Sequence, residues 1–426
     1  MKNKGNKRHI VRWTLVAALA AVILCGCIYS YFGGFGTGKC YDTKEFANYA
    51  KNVSDITIPE SVRIIALGEA THGNSEFQQL KLDVFKLMVE KYDVRAFALE
   101  AVYGNCEAVN RYIHGANGTA EEAAKAIGFT IYRTKEMADL IEWMRQYNQT
   151  AEPGNGLRFY GFDMQRYEYD YEFLLEAAKQ HDLQTAELEQ LWDKETGGLS
   201  ASYSPDQKAS VYEAVKQELL QLDDSTTAQA VHFADILLQN VALGRTINDY
   251  MKGNALRDSL MAMNTLWILE QEEVRGNERI FITAHNGHIE RDRSYGSEGK
   301  VMGNIFSDQL GDGYFAIGTN FYKARVNLPK GSHGKRSNHT YYSHNPLAKA
   351  SKKCGYETSW LDFSTIPDNS DFKQFVSGYT WLGNLGENYN PLSPVFPMAY
   401  RVWDSPAKSY DGMIFVAKAH PIEVLE

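Results

Sequence analysis

Val62-Arg63-Ile64-Ile65-Ala66-Leu67-Gly68-Glu69-Ala70-Thr71-His72-Gly73 opens as an apolar, β-branched run and closes by releasing a carboxylate and an imidazole before a glycine. A short apolar run bounded by a turn signal reads as a buried strand. Open α/β sheets bind their ligands outside the carboxyl ends of such strands. Two further runs end in the same way. Val94-Arg95-Ala96-Phe97-Ala98-Leu99 leads into Glu100, and Arg279-Ile280-Phe281-Ile282-Thr283-Ala284 leads into His285-Asn286-Gly287-His288. Three strands that each release a His or Glu at the tip predict one site assembled from distant sequence.

Outward from these runs, candidate strands lie at 62–68, 94–99, 158–163, 279–284, 314–319 and 356–361. Candidate helices lie at 75–91, 104–114, 134–149 and 301–310. Strands alternating with helices predict an α/β fold: a mostly parallel central sheet with flanking helices. Between about 168 and 276 strand signals vanish, and Glu, Gln, Leu, Ala and Asp predominate, which predicts an all-helical insertion. Beyond 320 the chain reads as loop-rich until Asp411-Gly412-Met413-Ile414-Phe415-Val416, a closing strand.

The first 38 residues stand apart as a segment of their own, with residues 39–426 as one catalytic domain. Lys2, Lys4, Lys7, Arg8 and Arg12 precede an apolar run from Trp13 to about Phe32, with no acid among them. The run is long enough to cross a bilayer as an N-terminal membrane anchor. The basic flank predicts that the remainder lies outside the cytoplasm. Two readings compete: an uncleaved anchor, which the apolar run past Cys27 favours, and a lipoprotein segment lipidated at Cys27 within Leu24-Cys25-Gly26-Cys27. Residues 33–44 read as a linker.

Without those five basic residues, 39 Lys and Arg face 53 Asp and Glu, a net charge of −14, which argues against nucleic acid as a partner. Cys40, Cys106 and Cys354 show no C-x-x-C spacing, so neither a disulfide framework nor a zinc ribbon is indicated.

His72 at a strand-to-helix junction is the candidate base. The positive end of the following helix disfavours an imidazolium and predicts a neutral ring. Glu69 or Glu100 would hold its second nitrogen. His285 and His288 flank an Asn-Gly turn and read as metal ligands, oxyanion donors or leaving-group acids. Taken singly, each histidine is an ordinary turn or capping residue; the coincidence of strand ends sets that reading aside. Lys81 sits beside the apolar face formed by 77, 80, 84, 87 and 88, and reads equally as a surface lysine or a site cation. Asp163, closing Phe159-Tyr160-Gly161-Phe162, and Arg257 are further polar candidates. No G-x-S-x-G elbow, P-loop or dinucleotide fingerprint occurs, which turns the reading toward water activated by histidine.

Gly68-Glu69-Ala70-Thr71-His72-Gly73 with Glu76-Phe77, Leu99-Glu100, Gly161-Phe162-Asp163-Met164-Gln165, Arg257-Asp258 with Met261-Ala262, Ala284-His285-Asn286-Gly287-His288 and Asp411-Gly412 together resemble the erythromycin esterase family over roughly residues 60–420. The resemblance implies an α/β core with a helical part over a cleft, and hydrolysis of a carboxylic ester, in named members a 14-membered macrolide lactone. It implies that His72 activates water, that Glu69 and Glu100 orient His72 and the water, and that His285 and His288 stabilise the oxyanion or help the alcohol leave. Lys81, Asp163 and Arg257 would bind substrate. Where some members place Arg, this chain has Lys81, which keeps the charge without the bidentate fork. The family also includes members grouped with succinoglycan biosynthesis. Three functions follow in order: a metal-independent hydrolase of a small-molecule ester with no cofactor; a metallohydrolase or peptidase holding a divalent metal in the same His/Glu cluster; and a non-hydrolytic, envelope-associated polysaccharide factor.

Overall fold

The computed structural model describes residues 3–31, 39–222, 227–331, 334–391, 393 and 396–426. Its main sheet contains β1 (Ile64–Glu69), β2 (Ala96–Val102), β3 (Arg158–Asp163), β4 (Ile280–His285), β5 (Tyr314–Pro329), β6 (Arg336–Tyr342), β7 (Thr358–Asp362) and β8 (Gly412–Ala419). The order is β7-β8-β5-β1-β4-β2-β3, with the two-residue strand Ala50–Lys51 beyond β7 and β6 pairing with β5. The six strands from β8 to β3 run parallel; β7, β6 and Ala50–Lys51 pair antiparallel.

Parallel strands are buried on both faces, and that is why the runs are continuously apolar rather than alternating. Every residue of β1 and β2 is buried. Ile65, Leu67, Phe97, Leu99 and Phe281 point to one side; Ile64, Ala66, Ala96, Ala98 and Ile282 point to the other. Helix α2, taken here as Ser75–Tyr92, covers the first side with Phe77, Leu80, Val84, Phe85 and Met88, an i, i+3, i+4 stripe. It stops at Asp93, whose left-handed φ of 57° returns its N–H to Met88 O. Helix α3, Tyr250–Val274, covers the opposite side with Met261, Ile268 and Leu269. The sheet thus lies between two helical layers.

Two expectations need correction. The stretch 168–276 is not wholly helical: Trp192–Asp193 pairs with Gly198–Leu199 in a small hairpin. Its turn signal, Gly197 at φ +67° and Asp193 accepting from Glu195 N at 2.8 Å, is hidden in a Glu-rich context. The chain beyond 320 is not loop-rich either. β5 runs on to Pro329 and forms a ladder with β6 from Lys323↔Tyr342 to Pro329↔Arg336. The outer strand Arg336–Tyr342 is polar, with none of its first five residues buried, so it carries no apolar alternation to mark it as a strand.

The N-terminal helix α1, Asn3–Tyr31, runs without a break through Cys25 and Cys27, and its segment Val11–Ser30 is long and apolar enough to cross a membrane. The linker read at 33–44 lies outside the described residues as far as Gly38. After it, Asp42 caps helix Thr43–Tyr49 by accepting from Lys44 N and Glu45 N. Cys40, Cys106 and Cys354 are free thiols.

Candidate active site

Glu69 and His285 are register partners at the tips of the adjacent strands β1 and β4, while Glu100 in β2 and Asp163 closing β3 continue the row. The local sequence makes this edge possible. A Cβ on Gly68 would stand 2.2 Å from Asn286 Oδ1, so only glycine lets the Asn286 amide pass. That amide then donates to Thr319 O at 2.8 Å and accepts from Thr319 N at 3.1 Å, tying the end of β4 to β5. A Cβ on Gly73 would meet Asn327 O at 2.2 Å; without it Asn327 N reaches Gly73 O at 3.0 Å and pins the turn after His72.

His72 Nδ1 lies 2.5 Å from Glu69 Oε1, and Lys81 Nζ holds the other oxygen of Glu69 at 2.6 Å. Lys81 also donates to Gln78 Oε1 at 3.0 Å and lies 5.6 Å from the Tyr132 ring centre. Burial alone would raise the Glu69 carboxyl, but Lys81 and His72 outweigh it and hold the pKa at about 2. With Glu69 ionised, Nδ1 of His72 carries the proton and Nε2 is the acceptor. Burial also works against a charged His72, yet Glu69, Glu100 and Glu387 raise its pKa above the ordinary value. The three carboxylates therefore act against the helix start, which is expected to disfavour an imidazolium.

Glu100 does not touch His72 in the way expected. Its Oε2 accepts from His285 N at 2.8 Å, and its Oε1 takes Arg257 Nη2 at 2.8 Å and lies 3.2 Å from His288 Nε2. Burial raises its carboxyl, but His288 and Arg257 hold it well below the usual range. Arg257 clamps Asp163 with Nη2 to Oδ2 at 2.6 Å and Nε to Oδ2 at 3.2 Å. His288 Nδ1 lies 2.5 Å from Asp258 Oδ1, whose other oxygen accepts from Tyr295 OH at 2.6 Å. Desolvation opposes charge on His288, but Asp258 and Glu100 push its pKa up to about 10, while its Nε2 also lies 3.2 Å from Arg257 Nη1.

His285 is the opposite case. Gly287 N donates to its Nδ1 at 3.3 Å, so Nε2 carries the hydrogen. That Nε2 is buried and has no partner among the described residues. Desolvation, then the neighbouring His72, lower its pKa to about 3, so the ring is a neutral donor at any ordinary pH. Its centre is 4.9 Å from that of His72.

The eight residues singled out in the sequence thus fall into one connected cluster. Lys81 and Asp163, read as substrate-binding, are 1% and 0% exposed and stand behind Glu69 and Arg257. Among the described residues no group of three or more His, Cys, Asp or Glu is arranged to hold a metal ion. The carboxylates are instead committed to Lys81, Arg257 and the histidines. Three participants escaped the sequence reading. Asp258 was visible only as the neighbour of Arg257, Tyr295 carried no signal, and Glu387 lies in the loop after the Thr380–Gly383 strand. Leu385 N donates to Ala70 O at 2.8 Å, which brings that loop beside His72. One Glu387 oxygen pairs with Arg336, and the other is buried without a partner among the described residues. A cavity of about 880 Å³ lies away from this cluster, among Tyr169, Tyr171, Glu172, Lys179 and Trp192.

Residues 89–419 match the family model described as erythromycin esterase. The chain belongs to the erythromycin esterase family. The matched stretch holds Glu100, Asp163, Arg257, His285 and His288; Glu69, His72 and Lys81 precede it. Among curated relatives, an erythromycin esterase type II from Escherichia coli is 22% identical over 352 residues, 72% of this chain and 82% of that protein. A putative hydrolase from Bacillus subtilis is 30% identical over 105 residues, 24% of this chain and 22% of that one. Among solved structures, a Bacillus cereus protein superposes with a TM-score of 0.74 at 21% identity, covering 91% of this chain and all of that one. A succinoglycan biosynthesis protein gives 0.73 at 21% identity over 90% and 98% of the two chains. An erythromycin esterase mutant in its open conformation gives 0.58 at 18% identity over 86% and 93%. At these identities the structures share the fold.

Proposed function

We propose that this member of the family is a carboxylic ester hydrolase that uses water activated by His72, with no metal and no covalent enzyme intermediate. One observation carries the proposal: His72 is fixed through Nδ1 by Glu69, while the adjacent His285 presents a buried Nε2–H with no protein partner among the described residues. His72 Nε2 takes a proton as water oxygen bonds to the ester carbonyl carbon. The developing oxyanion accepts from His285 Nε2–H in a site shielded from water. Collapse of the tetrahedral species breaks the C–O bond, and the His72 imidazolium returns its proton to the departing alkoxide. Acid and alcohol leave. Arg257 and His288 hold Glu100, and Glu100 fixes the His285 backbone. They position the donor while bonded to one another, to Asp163 and to Asp258.

The substrate class is a small-molecule ester, with a macrolide lactone as the first candidate from the family. We place the domain outside the cytoplasm, tethered by α1. The apolar run that continues past Cys27 through Ile28, Tyr29 and Tyr31 supports an anchor over lipidation at Cys27. The test is mass spectrometry of erythromycin and a panel of lactones and acyl esters incubated with the full chain in detergent, with and without EDTA, beside His72→Ala. Gain of one water that requires His72 and survives EDTA supports the reading. Turnover retained by folded His72→Ala would overturn it.

A second reading, binding of envelope glycans, draws on the cavity where Trp192 and Tyr171 stack at 4.9 Å beside Glu172 and Lys179. Aromatic faces next to charged groups suit sugar rings. Binding of oligosaccharides that is lost in Trp192→Ala, with ester turnover absent throughout, would favour it.

A further inference from the structure

The strand Thr380–Gly383 pairs antiparallel with Arg401–Asp404, and Trp381 and Trp403 are direct register partners. Directly opposed residues project from the same face of such a ribbon. Their ring centres are 5.2 Å apart, and Tyr379 stacks on Trp403 at 6.3 Å. Tyr379 is 51% exposed and Trp403 53%, while the neighbours Leu382 and Asp404 point inward and are buried. Lys408 Nζ lies 5.4 Å from the Tyr379 ring centre. Two exposed rings and the half-buried Trp381 beside them, next to an ammonium group, make an unusual surface for a protein that meets only water.

The course of the chain indicates what covers them. Seven residues, 32–38, separate the end of α1 at Tyr31 from Lys39, where the described domain resumes. Seven residues reach roughly 25 Å at full extension. The domain's first aromatic, Tyr41, stacks on Phe372 at 4.6 Å and meets Phe375 at a tilt at 4.5 Å. Those two rings belong to helix Asp371–Val376, which ends three residues before Tyr379. The tether therefore enters the domain beside the aromatic cluster.

We propose that Tyr379, Trp381 and Trp403 sit in the headgroup layer of the bilayer that α1 crosses, with Lys408 toward lipid phosphates. The inference rests on the reading of α1 as a membrane anchor. Trp and Tyr collect at this depth because the ring is apolar while its N–H or O–H remains wet. The same hairpin carries the loop of Leu385 and Glu387, which borders His72. Docking would present the mouth of the site to the bilayer surface, where amphiphilic esters partition.

The experiment uses the full chain reconstituted in vesicles of phosphatidylcholine and phosphatidylglycerol brominated at shallow acyl positions, compared with a Trp381→Phe/Trp403→Phe double variant. Phe preserves ring packing, and retained ester turnover or circular dichroism verifies the fold. Flotation of the vesicles after an alkaline carbonate wash reads the anchor separately. The expected result is that both proteins float, while bromine quenching falls from three tryptophans (13, 381 and 403) to Trp13 alone. Equal quenching of the two floating proteins would overturn the docking and leave the anchor standing. Failure of the wild type to float would overturn both.

Discussion

Glu100 grips His285 by its backbone and not by its ring: Oε2 accepts the His285 N–H at 2.8 Å. The imidazole is left with one internal bond, from Gly287 N to Nδ1, and a free Nε2–H. An unpaired buried donor costs stability unless something arrives to accept from it. A developing oxyanion would do so. His285→Ala should therefore lower kcat by about 10²–10³-fold with little change in KM, the loss typical of one oxyanion donor. Steady-state kinetics on the best ester of the panel checks this; a KM effect alone would assign the residue to ground-state binding.

The pH profile should identify His72. As a base it must be neutral, and its pKa lies above the ordinary imidazole value after burial is outweighed by Glu69, Glu100 and Glu387. The acidic limb of kcat/KM should accordingly fall at a pH higher than an unperturbed histidine would give. Glu387→Gln removes one of the three negative neighbours and should move that limb to lower pH. An unmoved limb would separate Glu387 from His72.

Lys81 can be tested through stability. Its ammonium is 1% exposed and bonds to Glu69 at 2.6 Å. Removing one partner of a buried pair typically costs about 3–5 kcal/mol, because the other charge is left stranded. Lys81→Met should lower stability by about that much in denaturant melts. It should also raise the Glu69 pKa from its value of about 2, which depends on Lys81.

His288 should give stability a pH signature. Its folded pKa is raised to about 10, from an ordinary value of about 6.5. The stabilisation is fully present below the unfolded value and is lost as pH rises toward 10. Thermal melts of wild type and His288→Gln should differ most below about pH 6.5 and converge near pH 10. A constant gap across that window would show that the ring acts through packing alone.

The strand tips were legible because parallel strands are apolar throughout, so a charged residue at the end of each run stands out. Glu69, Glu100, Asp163 and His285 all fall there. Arg257 lacked that contrast: it sits in a helix with polar neighbours, and only folding brings α3 across to β3. Lys81 is instructive in another way. It lies between the apolar positions 80 and 84, so its burial was available from helical phase, but a lysine is rarely buried without a partner. The partner, Glu69, is twelve residues away across a turn. Glu387 and Tyr295 come from irregular segments, where no periodicity marks which side chain faces inward. The β5–β6 ribbon was missed because β6 is polar over its first five residues and shows no apolar alternation.

The pairing of Glu69 with His285 across two neighbouring parallel strands also has a mechanical consequence. Their spacing is fixed by the backbone ladder of the sheet, while Arg257 and Asp258 reach the site from α3 and Glu387 from the loop between Thr380 and Asp404. The distance between the two reactive tips and the charges that surround them therefore rest on different parts of the chain.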